Sequence, residues 1–180
     1  MIKKSSFILL FLLWCNLCFA DTLGDTDGGA STDLGIDIIV SGPYTLSVNA
    51  VVTGISGKVF DNLSDSTWIG AIWADSTGTP GAKILEGSAI ATSNTFQYYE
   101  SSVASVSVSA QDIWIGGVLT ASDGDDYISY DSSTPVNSYE KTGTSIPDPF
   151  GTGTLRSGRR YSVYITYTEA TGARRVMLIT

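Results

Sequence analysis

The chain has 180 residues, 10 basic against 18 acidic, giving a formal net charge of −8, and it contains no histidine. Such an acidic surface repels phosphate backbones and anionic lipid headgroups, which argues against nucleic acid as a partner. Without histidine the commonest general base, nucleophile activator and zinc ligand are gone, and what survives for catalysis is carboxylate chemistry.

The first elements read as an export signal. Lys3 and Lys4 precede an apolar run from Phe7 to Trp14, and Cys18-Phe19-Ala20 supplies small residues at a cleavage site. A bilayer-spanning helix takes about 20 apolar residues, and this run is much shorter. Residues 1–20 are therefore expected to be a signal peptide cleaved after Ala20, with no membrane insertion afterwards. The product would be secreted, extracellular or held at the cell surface. Cys15 follows Trp14 and Cys18 follows Leu17, so neither has the small preceding residue of a lipid-acceptor cysteine. Both cysteines would leave with the signal, and no disulfide could staple the remainder. About 160 residues remain, enough to bury one compact core without such a staple.

Residues 21–36 are rich in Asp and Gly with no periodicity, and are expected to form a flexible leader. From residue 37 to 180 the texture is one of short β-type runs between Gly, Asp, Ser and Pro. Ile38 to Val40 is a short run. Tyr44 to Val52 alternates, with Tyr44, Leu46, Val48, Ala50 and Val52 on one face. Trp68 to Ala74 and Ile113 to Leu119 are almost continuously apolar, as strands covered on both faces are. Between them lie Ile84 to Ala91, Thr95 to Tyr99, and Ala104, Val106 and Val108 alternating with serines. Tyr127 to Tyr130 follows. Asp131 to Gly158, with three prolines, reads as a long excursion. The clearest strand is Tyr161 to Tyr167, alternating Tyr161, Val163, Ile165 and Tyr167 against Ser162, Tyr164 and Thr166. Val176 to Ile179 closes the series. No segment after the signal has helical spacing. The pattern predicts an all-β fold, a single antiparallel β-sandwich domain of jelly-roll type with about 8–10 strands.

One segment carries a signature. Ala71-Ile72-Trp73-Ala74-Asp75-Ser76-Thr77-Gly78-Thr79-Pro80-Gly81-Ala82-Lys83-Ile84-Leu85 can be read as a hairpin. Asp75 would cap the turn, Gly78 supply a positive φ, and Pro80-Gly81 reverse the chain. About thirty residues later comes Ser109-Ala110-Gln111-Asp112-Ile113-Trp114-Ile115-Gly116. The pair resembles an "aIYaD-x-x-G-x-PG-x-x-L … YWiG" pattern in β-sandwich modules of bacterial secreted, surface and phage-associated proteins. Gln111 and Ile113 stand where that pattern has glycine and tyrosine. The resemblance spans Ile39 to Tyr167 and implies the sandwich fold, but carries no ligand with it.

Candidate site residues come from three groups. Tyr127, Tyr130 and Tyr139 lie near loops and are the candidate stacking surface for sugar rings, whereas Trp68, Trp73 and Trp114 lie in the most apolar runs and are expected in the core. Asp123, Asp125 and Asp126 are candidate oxygen ligands for calcium, the one cofactor considered, with a solvated turn as the alternative. Asp75, Glu86, Glu100, Asp112 and Asp131 are available as paired carboxylates for glycoside hydrolysis, but nothing marks a proton donor among them. Arg156, Arg159 and Arg160 are expected to pair with acids or blunt an edge strand. The expected function is a noncatalytic extracellular binding or adhesion module, with a glycan or other surface polymer as partner. Its alternatives are a self-associating filament or phage-like subunit, in which Asp33 to Ser41 pairs with a neighbour's sheet edge, and a carboxylate-based hydrolase.

Overall fold

A computed structural model describes residues 20–34, 37–120, 126–132 and 137–170. Its strands are β1 (Asp21–Gly24), β2 (Ser31–Leu34), β3 (Asp37–Leu46), β4 (Ala50–Asp61), β5 (Thr67–Asp75), β6 (Pro80–Glu86) and β7 (Ile90–Ala91). The series continues with β8 (Gln97–Val108), β9 (Gln111–Leu119), β10 (Asp126–Asp131), β11 (Asn137–Thr142), β12 (Thr154–Ser157), β13 (Arg160–Tyr161) and β14 (Val163–Glu169). No helix occurs among the described residues. The expected signal and the run from Val176 to Ile179 lie outside them.

Two antiparallel sheets result. In sheet A the long β4 is central: β8 lies along one edge, and β14 and β10 share the other, with β1 on β14, and β2 and β13 on β10. Sheet B runs β12-β11-β3-β9-β5-β6, with β7 on β5. The sheets face each other across one core that joins Ile55, Val59, Val163 and Ile165 of sheet A to Ile39, Trp68, Ile72, Ile113 and Ile115 of sheet B. Alternation along the strands puts these residues on one face, and burying them stabilises the described residues, among which there is no cysteine. The Trp68 ring enters where two strands lack side chains: a Cβ on Gly57 would sit 2.4 Å from it, and one on Gly117 2.5 Å.

Sheet B is apolar on its far side too, which is why β5 and β9 read as continuous runs. Ile38, Val40, Ala71, Trp73, Trp114, Val118 and Phe150 form a second cluster there, with Tyr139 and Ile146 packed against it. The signature hairpin holds this cover in place. Asp75 accepts from Gly78 N at 3.1 Å, capping the turn, and from the Trp114 indole at 2.8 Å. Gly78 takes a φ of 86°. The Trp73 indole donates to Pro147 O at 3.1 Å, and Phe150 N donates to Gly81 O at 2.9 Å. Trp68, Trp73 and Trp114 are fully buried, as expected.

The structure departs from the sequence reading in several places, among them the expected strand Tyr161 to Tyr167, which is β13 on β10 and β14 on β4. Residues 21–34, expected as a flexible leader, supply β1 and β2 of sheet A. Their stability comes from main-chain pairing and ion pairs with distant residues, which composition cannot show. The expected single strand Tyr44 to Val52 is two, β3 and β4, split by a turn whose Asn49 side chain accepts from Ala110 N at 2.9 Å. A register shift at Ser105, whose φ is 45°, breaks the alternation in β8, so Val103 and Val108 are buried while Ala104 and Val106 are exposed. Ile84 to Ala91 divides into β6 and the exposed β7. The excursion from Asp131 to Gly158 contains β11 and β12, which extend sheet B beyond β3.

Candidate functional site

The outer face of sheet A gathers aromatic rings. Ile55 and Val59 of β4 point into the core, so Ser56, Lys58 and Phe60 face away from it. Tyr127 of β10 lies directly opposite Phe60, with ring centroids 6.2 Å apart. On the other side Phe96 precedes Gln97, the partner of Val59, and its ring stacks on Phe60 at 5.3 Å and 18°. One step along the sheet Tyr98 and Tyr164, opposite Lys58 and Ser56 respectively, meet edge to face at 5.1 Å. Five rings from four strands or their ends thus share one face. Phe96 is the most open, at 38% exposure, and the other four are half-buried.

Polar groups border these rings. The Glu100 carboxylate lies over Gly54 and accepts from the Thr166 hydroxyl at 3.2 Å. Lys58 Nζ donates to Gly28 O at 3.1 Å, and the Tyr98 hydroxyl donates to Asp25 O at 3.3 Å, so the link between β1 and β2 bounds the site. Burial, then the nearby Asp25 carboxylate, push the Tyr98 phenol up to about 12. It stays protonated and can donate at any physiological pH.

Asp61 fixes the end of the site that carries Phe96. Its carboxylate is fully buried and accepts from Ser64 N at 2.7 Å, Ser66 N at 2.9 Å and the Thr92 hydroxyl at 2.8 Å. The turn after β4 and the segment leading to Phe96 are thereby tied to one another. Burial alone would raise the pKa of Asp61, but the hydrogen bonds from Ser66, Thr92, Ser64 and Asp65 outweigh it and hold the group below its ordinary value.

The three expected tyrosines do not form one surface. Tyr127 belongs to the aromatic face. Tyr130 packs against the core, with Tyr161 at 6.0 Å and the Arg159 guanidinium 4.7 Å from its ring centre. Tyr139 lies on the far side of sheet B, 5.4 Å from Trp114. Positions 127 and 130 are three apart on one strand and so must face opposite ways. Phe60, Phe96, Tyr98 and Tyr164 were missed because nothing local reveals that their strands are neighbours. A signal was present in the aromatic residues at 96 and 98, two apart.

Of the candidate calcium ligands, Asp123 and Asp125 lie outside the described residues. Asp126 is buried, opposite Asp61 in register. Among the described residues no three metal-ligating side chains cluster. The candidate catalytic carboxylates are spread over the fold: Asp75 holds Trp114, Glu86 pairs with Lys83 at 2.8 Å, Asp112 accepts from Thr45 at 2.7 Å, and Asp131 lies 3.7 Å from Arg160. The arginines do pair with acids. Arg156 and Arg159 both reach the buried Glu140, Arg159 also meets Asp33, and Arg160 pairs with Asp25 at 3.1 Å. Beside Glu140 lies a shallow depression of about 320 Å³ lined by Lys141, Thr142, Thr152 and Arg156. Its cations are already engaged, Lys141 with Phe150 O at 2.8 Å and Arg156 with Glu140 at 2.6 Å.

The fold and this face define an all-β antiparallel sandwich with an aromatic outer surface. Compared with family models, curated proteins and solved structures, the chain finds no match. Geometry therefore carries the functional reading alone.

Proposed function

We propose that the protein is a noncatalytic extracellular binding module whose contact surface is the aromatic outer face of sheet A. Its ligand is a glycan, or another surface polymer that presents apolar ring faces. The observation that carries this reading is the grouping of Phe60, Phe96, Tyr98, Tyr127 and Tyr164 on one solvent-facing sheet. Aromatic faces desolvate cheaply and pack on the C–H faces of pyranose rings, while the Glu100 carboxylate borders the same surface to meet hydroxyls. The absence of histidine, and the structural hydrogen bonds that occupy Asp75, Glu86 and Asp112, favour binding over hydrolysis.

The test is retention on insoluble polysaccharides, with cellulose, chitin and peptidoglycan as probes, comparing the parent with Phe96→Ala and Tyr127→Ala. Phe96 is exposed enough that its truncation should leave the fold intact. Each substitution should weaken retention about tenfold, the equivalent of 1.4 kcal/mol. Equal retention of parent and both variants on any matrix would rule out this face. A parent retained on none of the three would count against a glycan ligand.

A further inference from the structure

Residues 21–34 occupy a seat built for them. β1 pairs with β14 from Asp21 opposite Tyr167 to Gly24 opposite Tyr164. β2 pairs with β10 from Ser31 opposite Tyr130 to Leu34 opposite Tyr127. Between the two, Asp25 N donates to Val163 O at 2.8 Å and Gly29 N to the Ser162 hydroxyl at 2.8 Å, while the Ser129 hydroxyl donates to Gly29 O at 2.6 Å. The fit excludes side chains at two points: a Cβ on Gly24 would meet Val163 O at 2.4 Å, and one on Gly29 would meet the Tyr130 backbone at 2.0 Å.

Charge complements shape. The segment contains Asp21, Asp25, Asp27 and Asp33 and no basic residue, and its seat supplies Lys58, Arg159 and Arg160. Asp25 is almost wholly buried against Arg160 at 3.1 Å. Asp33 pairs with Arg159 and accepts from the Tyr161 hydroxyl at 3.1 Å. Apolar anchoring is slight by comparison, with Leu23 packed against the core.

We propose that residues 21–34 are an exchangeable strand, and that the seat along β14 and β10 docks the same segment of a second copy of this chain. An empty seat leaves two strand edges unpaired and Arg160 without Asp25, so it needs an occupant. The segment is held by hydrogen bonds from main chain and side chains and by two ion pairs, all of which a second copy reproduces identically. With little apolar area to uncover, the cost of departure lies in those bonds, which a second copy restores, and only the higher local concentration of the tethered segment favours the seat of its own chain. This relocates the strand donor expected from sequence. Asp37 to Leu46 is unavailable, because β3 is flanked by β11 and β9 on both sides.

The experiment uses the chain beginning at Asp21, which has no cysteine. Thr22 and Thr166 are partners in register, so Thr22→Cys and Thr166→Cys are made singly and together. The two single variants are mixed at high concentration, unfolded and refolded together, and oxidised. A disulfide-linked heterodimer that exceeds either homodimer, and rises with concentration, is the expected result. Adding Gly29→Ala to the Thr22→Cys chain should reduce that heterodimer about tenfold, the equivalent of 1.4 kcal/mol. The proposal is overturned if the double variant closes an internal disulfide while the mixed singles never link. It is equally overturned if heterodimer and homodimers form in random proportion.

Discussion

Replacing Asp61 with alanine probes the clamp that positions Phe96. Ser64 N, Ser66 N and the Thr92 hydroxyl converge on its carboxylate. Ser64 is exposed and its amide can turn to water, and the Thr92 hydroxyl keeps Ser66 O as an acceptor at 3.0 Å, but the buried Ser66 N–H loses its acceptor. Each buried donor left without a partner costs about 1–3 kcal/mol. Removing one of two acids that face each other in register, Asp61 and Asp126, returns about 0.2–1 kcal/mol. From the middle of each range the net expectation is a loss of about 1–2 kcal/mol, read as a lower midpoint in urea by fluorescence of Trp68, which follows the clamped turn. A pH series gives the sign independently. The folded-state pKa of Asp61 lies below its ordinary 3.8, so its contribution is present above that pH and is lost as the pH falls through the folded value. The Asp61→Asn variant should therefore lose less stability on acidification than the parent. A midpoint for the alanine variant within about 0.5 kcal/mol of the parent would show that the clamp is not what holds this end of the sandwich.

Asp75→Ala orphans the buried Trp114 indole N–H and should cost about 1–3 kcal/mol in urea unfolding. Gly57→Ala forces a methyl to within 2.4 Å of the Trp68 ring and should lower stability by about 1–3 kcal/mol in a thermal melt. Asp25→Ala should reduce amide hydrogen-exchange protection in β1 and β2 by about tenfold while leaving β9 unchanged, because Arg160 loses its buried partner. The Tyr98 phenol is raised from 10.0 to about 12, so the stability it confers is complete below pH 10 and is lost as pH rises through 12. The ultraviolet titration of the parent minus that of Tyr98→Phe should place its ionisation near pH 12.

Much of the architecture follows from the chain alone. Tyr161, Val163 and Ile165 are buried as the alternation from Tyr161 to Tyr167 requires, although a break at Ser162 divides that run into β13 and β14. Continuous apolarity in Trp68 to Ala74 and Ile113 to Leu119 reflects burial on both faces, in the sandwich core and beneath Phe150 and Ile146. The turn chemistry of Asp75, Gly78 and Pro80 is local and therefore readable. What tertiary structure decided is which strands lie side by side. Tyr127 and Phe60 are far apart in sequence, and only the pairing of β10 with β4 makes them neighbours. Likewise the Asp- and Gly-rich segment at 21–34 has too few apolar residues to order itself, but Arg159, Arg160 and two open strand edges, formed more than a hundred residues later, order it. Side-chain periodicity is a property of one strand, whereas strand partnership and ion pairing depend on distances between segments. That is why the sequence determined an all-β sandwich and its buried faces, and the folded chain determined where the aromatic surface and the strand seat lie.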